Sequence, residues 1–235
     1  MVDDIKKDLQ LLANPRKAKF LAGFFKTGKG QYAEGDVFLG ITVPEQREVA
    51  KKHINSSLAE LELLLKSPIH EFRLTALLIA VLKYDKTNDE KIAMWFLKNS
   101  KSANNWDLVD LSADKILGKY LLNKDRSVLY KLAKSKNLWE RRISIVSTFA
   151  FIRAEMFDDT LKICELLMYD KHDLIHKACG WMLREVGKRE EKVLRKFLDS
   201  HSKRMPRTML RYSIERLDEK SKRKYMNMIN LALIK

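Results

Sequence analysis

The sequence predicts an all-helical fold, a curved superhelical solenoid of antiparallel helix pairs. Three observations predict it. Only 8 glycines and 4 prolines occur in 235 residues, too few for a fold that needs many tight turns. Apolar residues recur at helical spacing along nearly the whole chain. The helical segments themselves repeat at a fixed interval. Apolar residues make up 46% of the chain, which can supply a sizeable core, and the 33% that is charged suits exposed helix faces. The length allows one large domain or two small ones. The repeat favours one, spanning 1–235.

Taken in order, Ile5, Leu9, Leu12 and Ala13 share one helix face. So do Leu58, Leu61, Leu64 and Leu65, and then Leu74, Leu77, Leu78 and Val81. The pattern continues through 92–98, 106–121, 127–134, 138–152, 158–168, 174–187, 190–199, 207–216 and 221–234. The breaks are short, as at Asn123-Lys124-Asp125 and Lys134-Ser135-Lys136-Asn137, which implies antiparallel neighbours.

Several helices begin alike. Arg73 heads Leu74-Thr75-Ala76, Arg142 heads Ile143-Ser144, Lys177 heads Ala178-Cys179-Gly180, and Arg211 precedes Tyr212-Ser213. These basic residues stand at 73, 142, 177 and 211, so the steps are 69, 35 and 34, and the first is two repeats. The skipped repeat falls on Trp106-Asp107-Leu108-Val109-Asp110. A period of about 34–45 with two helices per unit marks HEAT-like or TPR solenoids, here about six to seven repeats. Basic residues at one phase are hard to bury unpaired, so they are expected to line an open, concave surface.

One stretch breaks the pattern. Residues 23–44 hold Gly23, Gly28, Gly30, Gly35 and Gly40, five of the eight glycines. Lys26-Thr27-Gly28-Lys29-Gly30 has neither the spacing of a phosphate loop nor a strand before it. It reads as a flexible basic loop that orders on binding, with Lys26 and Lys29 as contacts. Pro44 and Glu45 then open a helix.

Charge narrows the partner. The balance is 46 Lys+Arg against 31 Asp+Glu, a net +15, which draws polyanions from a distance. Nucleic acid is the first candidate and an anionic membrane surface the second. No apolar run is long enough to span a bilayer, and Asp3 and Asp4 stand where a signal peptide would be basic. Cys164 and Cys179 sit in apolar helical patterns and read as a reduced, buried pair in a cytoplasmic protein. The five histidines form no metal-ligand spacing, so no metal and no cofactor are expected.

Trp106 and Asp110 are i and i+4, on one helix face. A carboxylate weakens polyanion binding, so its presence on a basic surface needs a reason. Stabilising an oxocarbenium-like sugar while positioning water is one. A helix-start aspartate beside a core tryptophan is the plainer alternative. Trp181 lies at inner-helix phase with Gly180 opening space beside it, and could take a nucleotide by stacking or sugar contact. Trp95 and Trp139 read as core or helix-start residues. Arg142 offers a planar guanidinium to phosphate. Arg207 and Arg211, with Lys203 and Arg204, suggest a patch for the DNA backbone or simply a solvated face.

These residues together resemble the AlkD-type DNA glycosylases, a DNA alkylation repair family built from HEAT-like repeats. The resemblance runs over almost the whole length. It is carried by Phe38-Leu39-Gly40-Ile41 with Pro44, by Trp106 to Asp110, and by Trp139-Glu140-Arg141-Arg142. Gly180 to Glu185 and Met205 to Tyr212 complete it. It implies excision of cationic N3- and N7-alkylated purines from duplex DNA, without flipping the base into a deep pocket. It also implies that Asp110 stabilises the sugar and water, that Trp106 and Trp181 pack on the deoxyribose, and that Arg142 holds the backbone. Arg73, Lys177, Arg207, Arg211, Lys26 and Lys29 would be further DNA contacts. Two positions depart from the family: Asn105 stands where better-known members have a second tryptophan, and Asp173-Leu174 where they carry an aromatic pair. The expected setting is a monomer on nucleoid DNA in the cytoplasm. A module that binds damaged or structured DNA without cleaving it is the alternative, and a solenoid for an acidic protein partner is a third.

Overall fold

The computed structural model describes residues 2–227. Among them the chain is all helical, with no strand; Val37 and Ile69 form one isolated bridge. In order the helices are α1 (Val2–Leu11), α2 (Pro15–Phe24), α3 (Val43–Lys52), α4 (Leu58–Leu65), α5 (His70–Thr87), α6 (Glu90–Lys98) and α7 (Trp106–Asp110). They continue as α8 (Ser127–Ala133), α9 (Leu138–Ser147), α10 (Phe149–Arg153), α11 (Asp158–Leu167), α12 (Asp173–Arg189), α13 (Glu191–His201), α14 (Arg207–Ser213) and α15 (Glu219–Asn227). The helical pattern read over 221–234 is described as far as Asn227; the rest of it lies outside the described residues. The chain divides between Tyr120 and Leu121 into two compact units.

In the first unit α5 is the central element. Every residue from His70 to Val81 is buried, and α3 and α4 pack against it. Its buried stretch is mostly apolar, and the buried His70, Glu71 and Arg73 are paired with residues outside the helix. α3 starts where Pro44 and Glu45 predict, with a capping box between Thr42 and Glu45. α2 has no counterpart among the expected helices. Asn14 starts it by accepting the Lys17 N–H at 3.0 Å.

The glycine-rich stretch differs from the flexible loop its composition suggests. The buried Glu71 carboxylate accepts three successive backbone N–H groups, from Leu39 at 2.9 Å, Gly40 at 2.8 Å and Ile41 at 3.3 Å. Gly40 has φ +86°, and a Cβ there would lie 2.2 Å from the Asn14 carbonyl oxygen. Residues 39–41 are thus fixed by a charge on α5, which is invisible in local composition.

Two expected long helices are interrupted. The 106–121 pattern breaks after α7, where the Ser112 hydroxyl donates back to the Leu108 carbonyl at 2.5 Å. A π-helical turn follows at Asp114–Gly118, with Gly118 N–H donating to Ala113 O at 2.9 Å. The 138–152 pattern breaks at Thr148, whose hydroxyl donates to Ile145 O at 2.7 Å.

In the second unit α12 is central and packs against α14, α9 and α13. Gly180 serves that packing rather than making room for Trp181. A Cβ at 180 would lie 2.6 Å from the Met209 carbonyl oxygen and 2.5 Å from Tyr212 Cβ. Gly180→Ala is therefore expected to push α14 off α12 and destabilise the protein by about 1–3 kcal/mol. Urea denaturation of the variant checks this; an unchanged midpoint would mean that α14 yields freely.

Candidate functional site

α7 carries the two residues that stand out in the sequence. Trp106 and Asp110 are both half-buried, while Leu108 and Val109 on the other side of α7 are fully buried. A five-residue helix has little stability of its own, so its position is set by what holds its first turn. Asn105 supplies the cap: its Oδ1 accepts the Trp106 N–H at 2.8 Å. The same side chain is fully buried and its Nδ2 reaches Asp36 at 3.4 Å. The departure from the family's second tryptophan thus has a structural use, since an indole could not accept that N–H.

Asp107 completes the anchoring. Its Oδ1 accepts the Leu108 N–H at 2.9 Å, and its Oδ2 receives His70 Nε2 at 2.8 Å. On the other ring edge His70 Nδ1 faces Asp36 Oδ2 at 3.3 Å. Asp36 is shared with Arg73, whose guanidinium lies 2.7 Å from Asp36 Oδ1. The His70 ring is stacked on Phe38 at 4.5 Å and lies beside Phe25 at 5.1 Å. Phe25 in turn stacks on Trp106, with centroids 5.1 Å apart and planes at 17°, and Phe24 meets Trp106 edge-on at 6.0 Å.

Burial alone would push the His70 imidazolium towards losing its proton. The hydrogen bond and charge of Asp107, helped by Asp36, outweigh that and raise its pKa to about 9. Asp36 shows the converse balance. Burial pushes its carboxyl up, but His70 and Arg73 hold it below the usual value.

Beside this cluster lies a cavity of about 400 Å³ lined by Phe20, Phe24, Phe25, Phe38, Leu74 and His70, among others. Phe38 belongs to a segment that carries the resemblance, but His70, Asp36, Phe20, Phe24 and Phe25 did not stand out in the sequence. Asp36 and His70 are 34 residues apart and belong to no local motif. The only available signal was a histidine opening a mostly apolar helical run.

The basic residues at repeat phase are not all surface cations. Arg73 is 3% exposed and Arg142 5%. Both are buried because the fold supplies partners: Arg73 donates to Ser67 O at 2.9 Å and faces Asp36, and Arg142 donates to Leu174 O at 2.5 Å. Lys177 is half-buried and pairs with Asp173 at 2.8 Å. Burial pushes the Asp173 carboxyl up, but hydrogen bonds from Lys177 and Thr208 hold it low. Arg211, Arg207, Lys26 and Lys29 are exposed, and Arg207 also donates to Met226 O at 2.8 Å. In the second unit Trp181 is half-buried against Phe149 at 5.7 Å, and Arg153 covers that phenylalanine at 4.4 Å. Arg141 is clamped to Asp170 and to two backbone carbonyls. Trp95 and Trp139 are core residues, and both cysteines are buried and unbridged. Among the described residues no cluster could hold a metal ion, and no helix is long and apolar enough to cross a membrane.

The chain matches the family described as DNA alkylation repair enzyme over residues 5–217, nearly its whole length. It belongs to that family, so the protein falls in the class of DNA alkylation repair proteins. Two solved structures share the fold. A predicted DNA alkylation repair enzyme from Enterococcus faecalis superposes with a TM-score of 0.72 at 18% identity, covering 88% of this chain and 97% of that one. AlkD2 from Streptococcus mutans gives a TM-score of 0.58 at 15% identity, covering 86% and 99% respectively. No curated protein matches the chain.

The His70 proton makes stability depend on pH. Its folded pKa, about 9, lies above the ordinary 6.5. The contribution is therefore full below pH 6.5 and is lost as pH rises through 9. Roughly 3 kcal/mol of stability is expected to disappear across that window. Urea midpoints at pH 6, 7.5 and 9.5 for wild type and His70→Gln check it. An equal pH slope in the two proteins would remove His70 as the cause.

Proposed function

We propose that the protein is a monofunctional DNA glycosylase that excises N3- and N7-alkylated purines from duplex DNA by hydrolysing the N-glycosidic bond. The observation that carries this reading is the pairing of Trp106 and Asp110 one turn apart on α7, both half-buried, in a member of a DNA alkylation repair family. α7 is tied down at Asn105 and Asp107, so the carboxylate sits on a preorganised element rather than a loose loop.

In this reading the alkylated base is already cationic, so its glycosidic bond is weakened before the protein acts. Asp110 stabilises the positive charge that develops on the sugar and orients the attacking water. Trp106 presents its indole to the deoxyribose. In the second unit Trp181 and Arg142 are the residues proposed to take deoxyribose and backbone. Arg73, Lys177, Arg207, Arg211, Lys26 and Lys29 are proposed as further backbone contacts. No base flipping into a deep pocket is invoked, and the protein is proposed to act as a monomer.

The test is release of free base from duplex DNA carrying 7-methylguanine. Wild type is expected to release it, and Asp110→Asn to slow release by about 10²–10³-fold. Release by Asp110→Asn at the wild-type rate would overturn the role of Asp110. Tight binding without release by wild type would point to a DNA-binding module that does no chemistry. Affinity for the duplex is expected to fall steeply between 50 and 200 mM salt as counterion release weakens. A flat salt dependence would overturn DNA as the partner.

A further inference from the structure

In the first unit a second hollow, of about 410 Å³, opens between the turn at 34–36, the connection at 65–68 and the segment at 101–104. It differs in kind from the apolar cavity beside Trp106. Lys66, Ser67, Arg73, Lys101, Ser102 and Asn104 are the hydrogen-bonding and cationic members of its lining. Three buried polar atoms of that lining have no hydrogen-bond partner, Arg73 Nε, Arg73 Nη2 and Asn104 Oδ1, and of these Arg73 Nη2 has an ion-pair contact with Asp36.

The Arg73 side chain is 4% exposed. One of its terminal nitrogens is given to Ser67 O and the other faces Asp36, which leaves the Nε–H unused. A buried donor on a charged group is costly to leave unmade, and such atoms are rare in folded proteins. Lys66 and Lys101 are both exposed, and Lys66 reaches Glu62 at 3.5 Å. Two carboxylates also line the hollow. Asp36 is committed to Arg73 and His70, and Glu34 accepts the Gly30 N–H at 2.8 Å. Gly35, at φ +86°, has open space where a Cβ would stand, so a ligand can approach the backbone there.

We propose that this hollow is a nucleotide subsite that takes one backbone phosphate of the DNA. The phosphate oxygens accept from Arg73 Nε–H and from the Lys66 and Lys101 ammonium groups. Asn104 stands two residues before Trp106, at most ~7 Å along the chain. A strand whose sugar lies at Trp106 carries phosphates within that reach. The assignment of DNA, rather than a free phosphate compound, rests on the function proposed above.

The experiment pairs a protein change with a DNA change. Lys66→Gln/Lys101→Gln alters two exposed side chains and leaves the buried Arg73 in place. Lys7→Gln/Lys91→Gln, in the same unit and away from the hollow, is the control with the same charge change. The slope of log affinity against log salt for lesion-bearing duplex DNA is expected to fall by about 1 to 2 in the first variant and to stay unchanged in the control. Neutral methylphosphonates are then placed one at a time along the strand around 7-methylguanine. At one position near the lesion, wild type is expected to lose more affinity than the Lys66/Lys101 variant, which keeps only the Arg73 contact. Equal slopes in the two variants, or no position that couples to the lysine pair, would overturn the proposal and leave a hollow that holds water only. Inorganic phosphate and deoxynucleoside monophosphates are titrated in parallel. Saturation by either at micromolar concentration, with no change in DNA slope, would mean a free-phosphate site and overturn the DNA assignment. The slope and the coupling are read from binding, so they stand whether or not base is released. Loss of base release alone would strike the glycosylase reading and not this one.

Discussion

A protonated imidazole between two carboxylates holds the start of α7. His70 sits at the first turn of α5, with Asp107 on one ring edge and Asp36 on the other. Asp107 is the second residue of α7, so the bond ties a short helix to the best-covered helix of its unit. Without that tie, five residues of helix would have no reason to form where they do. The ring is also a packing surface. Phe38 and Phe25 lie against it, and Phe25 passes the stacking on to Trp106. Electrostatics and aromatic packing thus act on the same two residues, Trp106 through its neighbour ring and Asp110 through the helix it ends.

Burying charge is expensive unless every partner is supplied. The first unit spends a set of polar groups on doing so: Asp36 serves His70, Arg73 and Asn105, and Glu71 gathers the N–H groups of residues 39–41. Replacing one member leaves the others buried and uncompensated. That is why a network of this kind fixes one geometry, here the geometry of α7 and of the chain leading to α3. The same logic separates the basic residues of the repeat. Arg73 and Arg142 are built into the fold, whereas Lys26, Lys29, Arg207 and Arg211 remain on the surface.

Family membership places the protein in DNA alkylation repair. A glycosylase of the proposed kind needs little from the protein, because the cationic base is a leaving group already prepared. What it needs is a carboxylate that does not move and an aromatic face beside it. A capped, salt-bridged α7 answers the first need and the Phe24–Phe25–Trp106 cluster the second.

Apart from α2 and the two interrupted helices, helical periodicity determined the element order and most boundaries, because each helix buries a face and the burial pattern repeats every 3.6 residues. α4, α6 and α8 lie within two residues of their expected limits. The pairing of Trp106 with Asp110 was equally legible, since i and i+4 share a face in any α-helix. The breaks at Ser112 and Thr148 were not, because a hydroxyl either faces solvent or bonds back to its own helix according to what packs beside it. Neither could local sequence show that Arg73 is buried or that Gly180 faces α14. Those outcomes depend on partners far along the chain: Asp36 lies 37 positions from Arg73, and Met209 lies 29 from Gly180. Periodicity is a local property and is written in the sequence. Pairing of buried charge is a property of distant residues brought together, and only the tertiary structure decides it.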